Sequence, residues 1–305
     1  MDKDFTVLCF NGYEQYYRAF ITAGLTLSKP DEYSFEEGDS FFSTSQDLKN
    51  KHIYIVGSLN RDTTSSTNDR LTKVLFFIDM LKENGATKLT LIAPYICYSR
   101  MEKRSSSTDL VANNAVARLL ESVGLDSIVT FDVHNQDAFQ DSYKIEAKSL
   151  EAHSLFCDYY ASLLQEDKIC VVSPDSGGIE RATKFAQALE KRLSKPIKFM
   201  HFSKTRDINN ISIDAVDGCD IDGYTAIIYD DIVSTGKTML AAAEMCKQKG
   251  ADKIYGAATH LLNQDFTQSI GVIDGFISTN SVPQNSESLD ITKLIAEYIK
   301  SDVQG

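Results

Sequence analysis

The segment YTAIIYDDIVSTGKT, residues 224–238, has the make-up of an anion site. An apolar strand ends in two carboxylates, Asp230 and Asp231, and runs through small residues into a helix. Ser234, Thr235, Gly236, Lys237 and Thr238 can turn several backbone N–H groups toward one point. Glycine allows close approach there, and a helix N-terminus adds a favourable dipole. Carboxylates at the end of a strand sit where open α/β sheets bind ligands, so the acidic pair could hold sugar hydroxyls or a metal ion. The segment is not a GxxxxGK[ST] loop, because Asp231 stands where the first glycine is required and the acids precede the turn. A plain strand-to-helix turn with an N-cap would also use serine, threonine and glycine. Consistent chemistry over the whole run favours the anion site over that plain turn.

The elements around this segment must hold it open to solvent at one end of a sheet. Short apolar runs (HIYIVGS, TKLTLIAPY, SIVTFDVH) alternate with amphipathic stretches (RLTKVLFFIDMLKENG, NNAVARLLESVG) in the first half. The second half repeats the rhythm with KICVVSPD, ERATKFAQALEKRL, IKFMHFS, YTAIIYDD, KTMLAAAEMCKQKG and KIYGAATH. Strands separated by helices of that length predict β-α-β units and parallel sheets. ENGATKLTLI, ESVGLDSIVTF and QKGADKIYGAA each place glycine between a helix and the next strand, where it ends the helix. The fold class is therefore α/β, in two similar domains, each a mainly parallel sheet flanked by helices. Residues 1–152 form the first and 153–305 the second, with the last helix, 287–303, packing back on the first.

A chain of 305 residues with 43 % hydrophobic content is long enough for two such cores. Its 43 acidic and 31 basic residues give a net charge of -12, which disfavours general affinity for nucleic acid or anionic membranes. An anionic substrate must then be held by local devices. The six cysteines form no C-x-x-C pair, so neither a zinc knuckle nor a disulfide framework is indicated. The start MDKDFTVLCF lacks a basic leader, and no apolar run approaches the ~20 residues of a membrane span. A cytoplasmic address follows.

The 224–238 segment resembles the phosphoribosyl-diphosphate loop of type I phosphoribosyltransferases. A full α/β domain precedes it, with motifs of its own. PYICYSRMEKR (94–104), TFDVHNQD (130–137), STNDRL (66–71) and SFEEGD (34–39) are similar to segments of the ribose-phosphate pyrophosphokinases. So are SPDSGGIERA (173–182) and HFSKTRD (201–207) in the second half. The matches keep the family's order over almost the whole chain.

That resemblance implies two phosphoribosyltransferase-like domains and transfer of the β,γ-diphosphate of ATP to the 1-hydroxyl of ribose 5-phosphate. It makes Asp230 and Asp231 contacts of the ribose hydroxyls, and the 234–238 turn a cradle for the 5-phosphate. Lys204 and Arg206 match the family's catalytic Lys and Arg, on a segment read as flexible. Cations there suit a reaction that redistributes negative charge over the β-phosphoryl oxygens and the leaving AMP. His134 and Asp175 match residues that help hold Mg2+, which prefers oxygen and keeps water, so the two form a partial shell. Arg100, Lys103 and Arg104 can neutralise ATP phosphates. Phe35 either stacks on adenine, with Glu37 or Asp39 accepting its amino hydrogens, or is an ordinary core aromatic. Arg181 reads as a structural residue at a helix start. The family's self-association implies a homo-oligomer, a dimer or a hexamer.

The sequence departs from the family pattern at a few points. Met101 and Glu102 replace a Gln-Asp pair beside Arg100, Ser234 replaces a frequent Asp, and Lys237 replaces a small residue. The last two resemble other phosphoribosyltransferases, which leaves a salvage-type transferase as an alternative. A non-catalytic regulatory homologue is another, although Lys204 and Arg206 are both present.

Overall fold

In the computed structural model the chain divides into two compact units. The first comprises Met1–Leu150, Ser281–Pro283 and Ile291–Gly305, and the second Glu151–Asn280 and Gln284–Asp290. The structure describes residues 5–104, 106–206, 211–215, 219–268, 270–283 and 287–304.

The first unit runs β1 (Phe5–Cys9), α1 (Tyr13–Thr22), β2 (Leu27–Ser28), β3 (Asp31–Ser34), β4 (Ser40–Ser43), β5 (His52–Val56), α2 (Thr67–Glu83), β6 (Lys88–Ile92), α3 (Ala112–Ser122), β7 (Ser127–Phe131), α4 (Gln136–Ser142) and β8 (Glu146–Leu150). Its six-stranded sheet has the order β2-β1-β5-β6-β7-β8, with every neighbouring pair parallel. β3 and β4 form a separate antiparallel hairpin. Parallel strands are covered on both faces, which is why β6 and β7 read as unbroken buried runs rather than alternating ones.

The second unit runs α5 (His153–Leu163), β9 (Ile169–Ser173), a 3-10 turn (Ser176–Gly178), α6 (Ile179–Leu193), β10 (Lys198–Arg206), β11 (Ile211–Ala215), β12 (Thr225–Val233), α7 (Lys237–Gln248), β13 (Lys253–Leu261), a second 3-10 turn (Gln264–Gln268) and β14 (Gly275–Ser278). The sheet order is β11-β10-β9-β12-β13-β14, parallel except for the β10–β11 pair. The chain then returns to the first unit with α8 (Thr292–Gln304), which packs on α1. Tyr54 on β5 donates to Asp302 Oδ2 at 2.5 Å, and Lys148 lies 5.3 Å from the centre of the Tyr298 ring.

Local chemistry sets where the helices start and stop. Ser66 and Asp69 form a reciprocal capping box at the start of α2. At the ends of α2, α3 and α7, Gly85, Gly124 and Gly250 take φ of 91, 90 and 84°. The N–H of each glycine bonds three residues back and the next N–H five residues back, as in Gly85 to Lys82 and Ala86 to Leu81. This paired closure satisfies carbonyls that the helix end would leave bare. Among the described residues no helix is long and apolar enough to cross a membrane.

Candidate active site

In the second unit the strands run outward in opposite directions from the β9–β12 pair. Open α/β sheets place their ligand crevice at the carboxyl ends of such a pair. β9 ends at Ser173, just before Asp175, and β12 carries Asp230 and Asp231 near its end. β12 is buried along almost its whole length, so its first five residues, Thr225–Tyr229, anchor the acids in the core.

Asp231 is 2 % exposed and Asp230 is partly buried. Arg181, on the first turn of α6, places Nη1 3.2 Å from Asp230 Oδ1 and 3.3 Å from Asp231 Oδ1. The Asp231 backbone N–H also donates to Asp230 Oδ1, at 2.9 Å. Burial is the largest influence on the Asp230 carboxyl and raises its pKa, the Asp231 charge raises it further, and the Arg181 guanidinium opposes both. Gly178 lets α6 approach this closely: a Cβ there would lie 2.8 Å from Ser173 Oγ and 3.4 Å from Arg181 Nη1.

Past Val233 the chain bends over Ser234, Thr235 and Gly236 and enters α7 at Lys237. Gly236 is the N-cap, at φ 77°, and offers no side-chain cap to the first turn of the helix. Those N–H groups are the donors an anion would use. A Cβ on Gly236 would fall 2.1 Å from Cδ2 of Phe266, whose ring covers the bend. Thr235 and Lys237 are exposed, whereas Ser234 and Thr238 are partly buried.

Asp175 caps the 3-10 turn that follows it, accepting from Gly177 N–H at 3.0 Å. In the first unit His134 lies in the bend between β7 and α4, next to Asn135, which caps α4 through Ala138 N–H at 3.0 Å. Among the described residues no group of three or more His, Cys, Asp or Glu is placed to hold a metal ion. Asp175 and His134 each offer a single donor group, so either fits Mg2+ only within a shell completed by substrate oxygens and water.

Two further regions of the first unit carry predicted residues. Phe35, Glu37 and Asp39 lie on the turn of the β3–β4 hairpin, closed by Phe35 N–H donating to Asp39 O at 2.8 Å. Phe35 is 49 % exposed and edge-on to Tyr33 at 4.9 Å, so it is not a core aromatic. Arg100, with Arg61, Ser65, Asn68, Tyr95 and Tyr98, lines a cavity of about 720 Å³ at the carboxyl ends of β5 and β6. Lys103 and Arg104 are exposed outside its lining, and Arg104 donates to Ser107 O at 3.0 Å.

Lys204 and Arg206 occupy the end of β10, in register with Ile213 and Ile211 of β11. Here the polar S-K-T-R run pairs with ISIDA in an antiparallel ladder. Two contributors to the site escape a reading by spacing: Arg181, 49 positions from the acid it contacts, and Phe266 over the bend. The signal for Arg181 was its place three residues after Gly178, on the turn that follows Asp175.

The chain is similar to known proteins along most of its length. Residues 18–124 match the N-terminal domain of ribose phosphate pyrophosphokinase, and residues 213–302 match the phosphoribosyl synthetase-associated domain. A Streptococcus pyogenes protein provisionally named ribose-phosphate pyrophosphokinase 2 is 31 % identical over 91 % of this chain and 84 % of its own. Ribose-phosphate pyrophosphokinase 1 of Listeria monocytogenes is 29 % identical over 90 % of this chain and 86 % of its own. The crystal structure of phosphoribosylpyrophosphate synthetase from Mycobacterium smegmatis superposes with a TM-score of 0.84 at 25 % identity, covering 98 % of this chain and 99 % of that one. With both units matched and the motifs in order, the chain belongs to the ribose-phosphate pyrophosphokinase family.

Proposed function

We propose that this chain transfers the β,γ-diphosphate of ATP to the 1-hydroxyl of ribose 5-phosphate, giving 5-phosphoribosyl 1-diphosphate and AMP. The observation that carries this reading is the start of α7, entered through the glycine N-cap Gly236, beside Asp230 and Asp231 at the strand reversal of the second unit. In it the 5-phosphate accepts from the backbone of the 234–238 turn, and the acidic pair accepts from the ribose hydroxyls. The 1-oxygen forms a bond to the β-phosphorus while the bond from that phosphorus to the α-phosphate oxygen breaks. AMP leaves with that oxygen, and the hydroxyl proton passes to solvent.

Lys204 and Arg206 supply positive charge to the migrating diphosphoryl group, and no covalent enzyme intermediate is needed. Phe35 stacks on adenine, Glu37 or Asp39 accepts from its amino group, and Arg100, Lys103 and Arg104 offset the phosphate charge. Asp175 and His134 would be protein donors to Mg2+, which when bound would offset the charge of the ATP phosphates. The family resemblance further supports a homo-oligomer, dimer or hexamer, in the cytoplasm; light scattering of the purified chain reports its size.

The test is release of AMP from ATP and ribose 5-phosphate in the presence of magnesium. Activity should vanish with EDTA, and Lys204→Ala should lower kcat on the order of 10²-fold, as for loss of one charge-stabilising donor. Absence of AMP from the parent, or a Lys204→Ala chain as active as the parent, would reject the reading.

A further inference from the structure

We propose that Arg181 is a positioning residue of the ribose 5-phosphate site, its guanidinium locking Asp230 and Asp231 into one rigid pair of acceptors for the sugar's vicinal hydroxyls. The inference rests on the reading of residues 230–238 as the sugar-phosphate site. Successive side chains on a strand point to opposite faces, so adjacent aspartates on β12 have no intrinsic reason to act together. Arg181 gives them one: a single nitrogen, Nη1, lies 3.2 Å from Oδ1 of one and 3.3 Å from Oδ1 of the other.

The arrangement is built rather than incidental. Arg181 and Asp230 are 15 and 16 % exposed and Asp231 is 2 % exposed, so the three charges meet largely out of water. The Asp231 N–H bond to Asp230 Oδ1 takes a second direction at the same oxygen and removes a rotamer choice. Gly178 leaves the space: a Cβ there would lie 3.4 Å from Arg181 Nη1 and 3.7 Å from Asp230 Oδ1. Asp175, on the neighbouring turn, is the further charge that Asp230 senses, and it is also negative. Without the guanidinium this end of β12 would collect acids with no partner from α6 and would favour divergent rotamers. Hydroxyls of a vicinal diol lie close together, so they are read only by acceptors held at a fixed separation.

The readout is therefore discrimination between ribose 5-phosphate and 2-deoxyribose 5-phosphate, measured by calorimetry on the full chain without ATP. The parent should bind the ribose compound more tightly. Arg181→Gln should shrink that preference about tenfold, the scale of one hydrogen bond to a charged group, while affinity for the deoxy compound changes little. Arg181→Lys, whose single ammonium reaches the acids less well, should recover part of it. An Arg181→Gln chain that keeps the parent's preference overturns the proposal. If that variant does not fold, Arg181→Met, which retains the aliphatic stem, takes the same measurement. Both variants unfolded would assign Arg181 to the fold alone and overturn it as well. A parent that binds both sugars equally defeats this inference only, whereas a parent that binds neither defeats the site reading beneath it.

Discussion

Gly236 and Gly223 share a left-handed backbone, at φ 77 and 69°, in different surroundings. Nothing lies within 4 Å of a Cβ built on Gly223, while one on Gly236 meets the Phe266 ring at 2.1 Å. Gly223→Ala should therefore cost only the backbone penalty, about 1–2 kcal/mol. Gly236→Ala should cost more, because the ring must move, and should abolish ribose 5-phosphate binding. Urea unfolding of both variants measures the difference, and equal costs would show that the ring yields freely. At the start of β5, the His52 ring lies tilted against Tyr54, centroids 4.0 Å apart, and its Nε2 is 2.8 Å from Thr90 Oγ1. Burial chiefly, and then Lys88, lower its pKa to about 4 against the opposing pull of Asp302. Above pH 6.5 the imidazole is neutral in both folded and unfolded chains and contributes no pH dependence. Between 6.5 and 4 the unfolded chain binds a proton that the folded one refuses, so stability falls as pH falls. His52→Gln should flatten that part of the melting-temperature profile; an unchanged slope would reject the assignment.

The helices were legible because their end signals are local. The glycines after α2, α3 and α7 act within five residues of sequence and appear in the structure as three paired closures, while the Ser66–Asp69 capping box emerges only in the structure. Ser66→Ala should lower stability by about 1 kcal/mol and shift the thermal midpoint down, with no midpoint change counting against the cap. The β10–β11 ladder was not legible. Its charged, hydroxyl-rich strand HFSKTR owes its shape to its partner strand β11, and nothing in its own alternation declares that partner. The acidic pair and the 234–236 bend were legible as a unit, since strand, turn and helix follow in sequence. Arg181 was not, because its role depends on how α6 lies against β12, a distance that composition does not encode.

At the scale of the molecule, the alternation of apolar runs and helices announced two mainly parallel sheets, and both are present. The order of strands within each sheet depends on which way each crossover turns, and apolar patterning is blind to that. The first unit is discontinuous in sequence, closed by α8. Ile291, Ile295 and Ile299 are fully buried in this returning segment. Each contributes roughly 1.5–3 kcal/mol by burial, and together they rival the whole stability of an ordinary domain, about 5–15 kcal/mol. A chain ending at Asp290 should lose its first unit to limited proteolysis while residues 151–280 resist. Protection of both units would contradict this.

The interleaved order also has a bearing on biosynthesis. A nascent polypeptide leaving the ribosome exposes the α1 surface that α8 will cover for as long as the following half is being translated. The amino-terminal half must wait, incomplete, until the last helix emerges, so the later-made unit can settle before the earlier one. Products that stop before α8 would carry an uncovered apolar flank, suited to capture by chaperones rather than to partial activity.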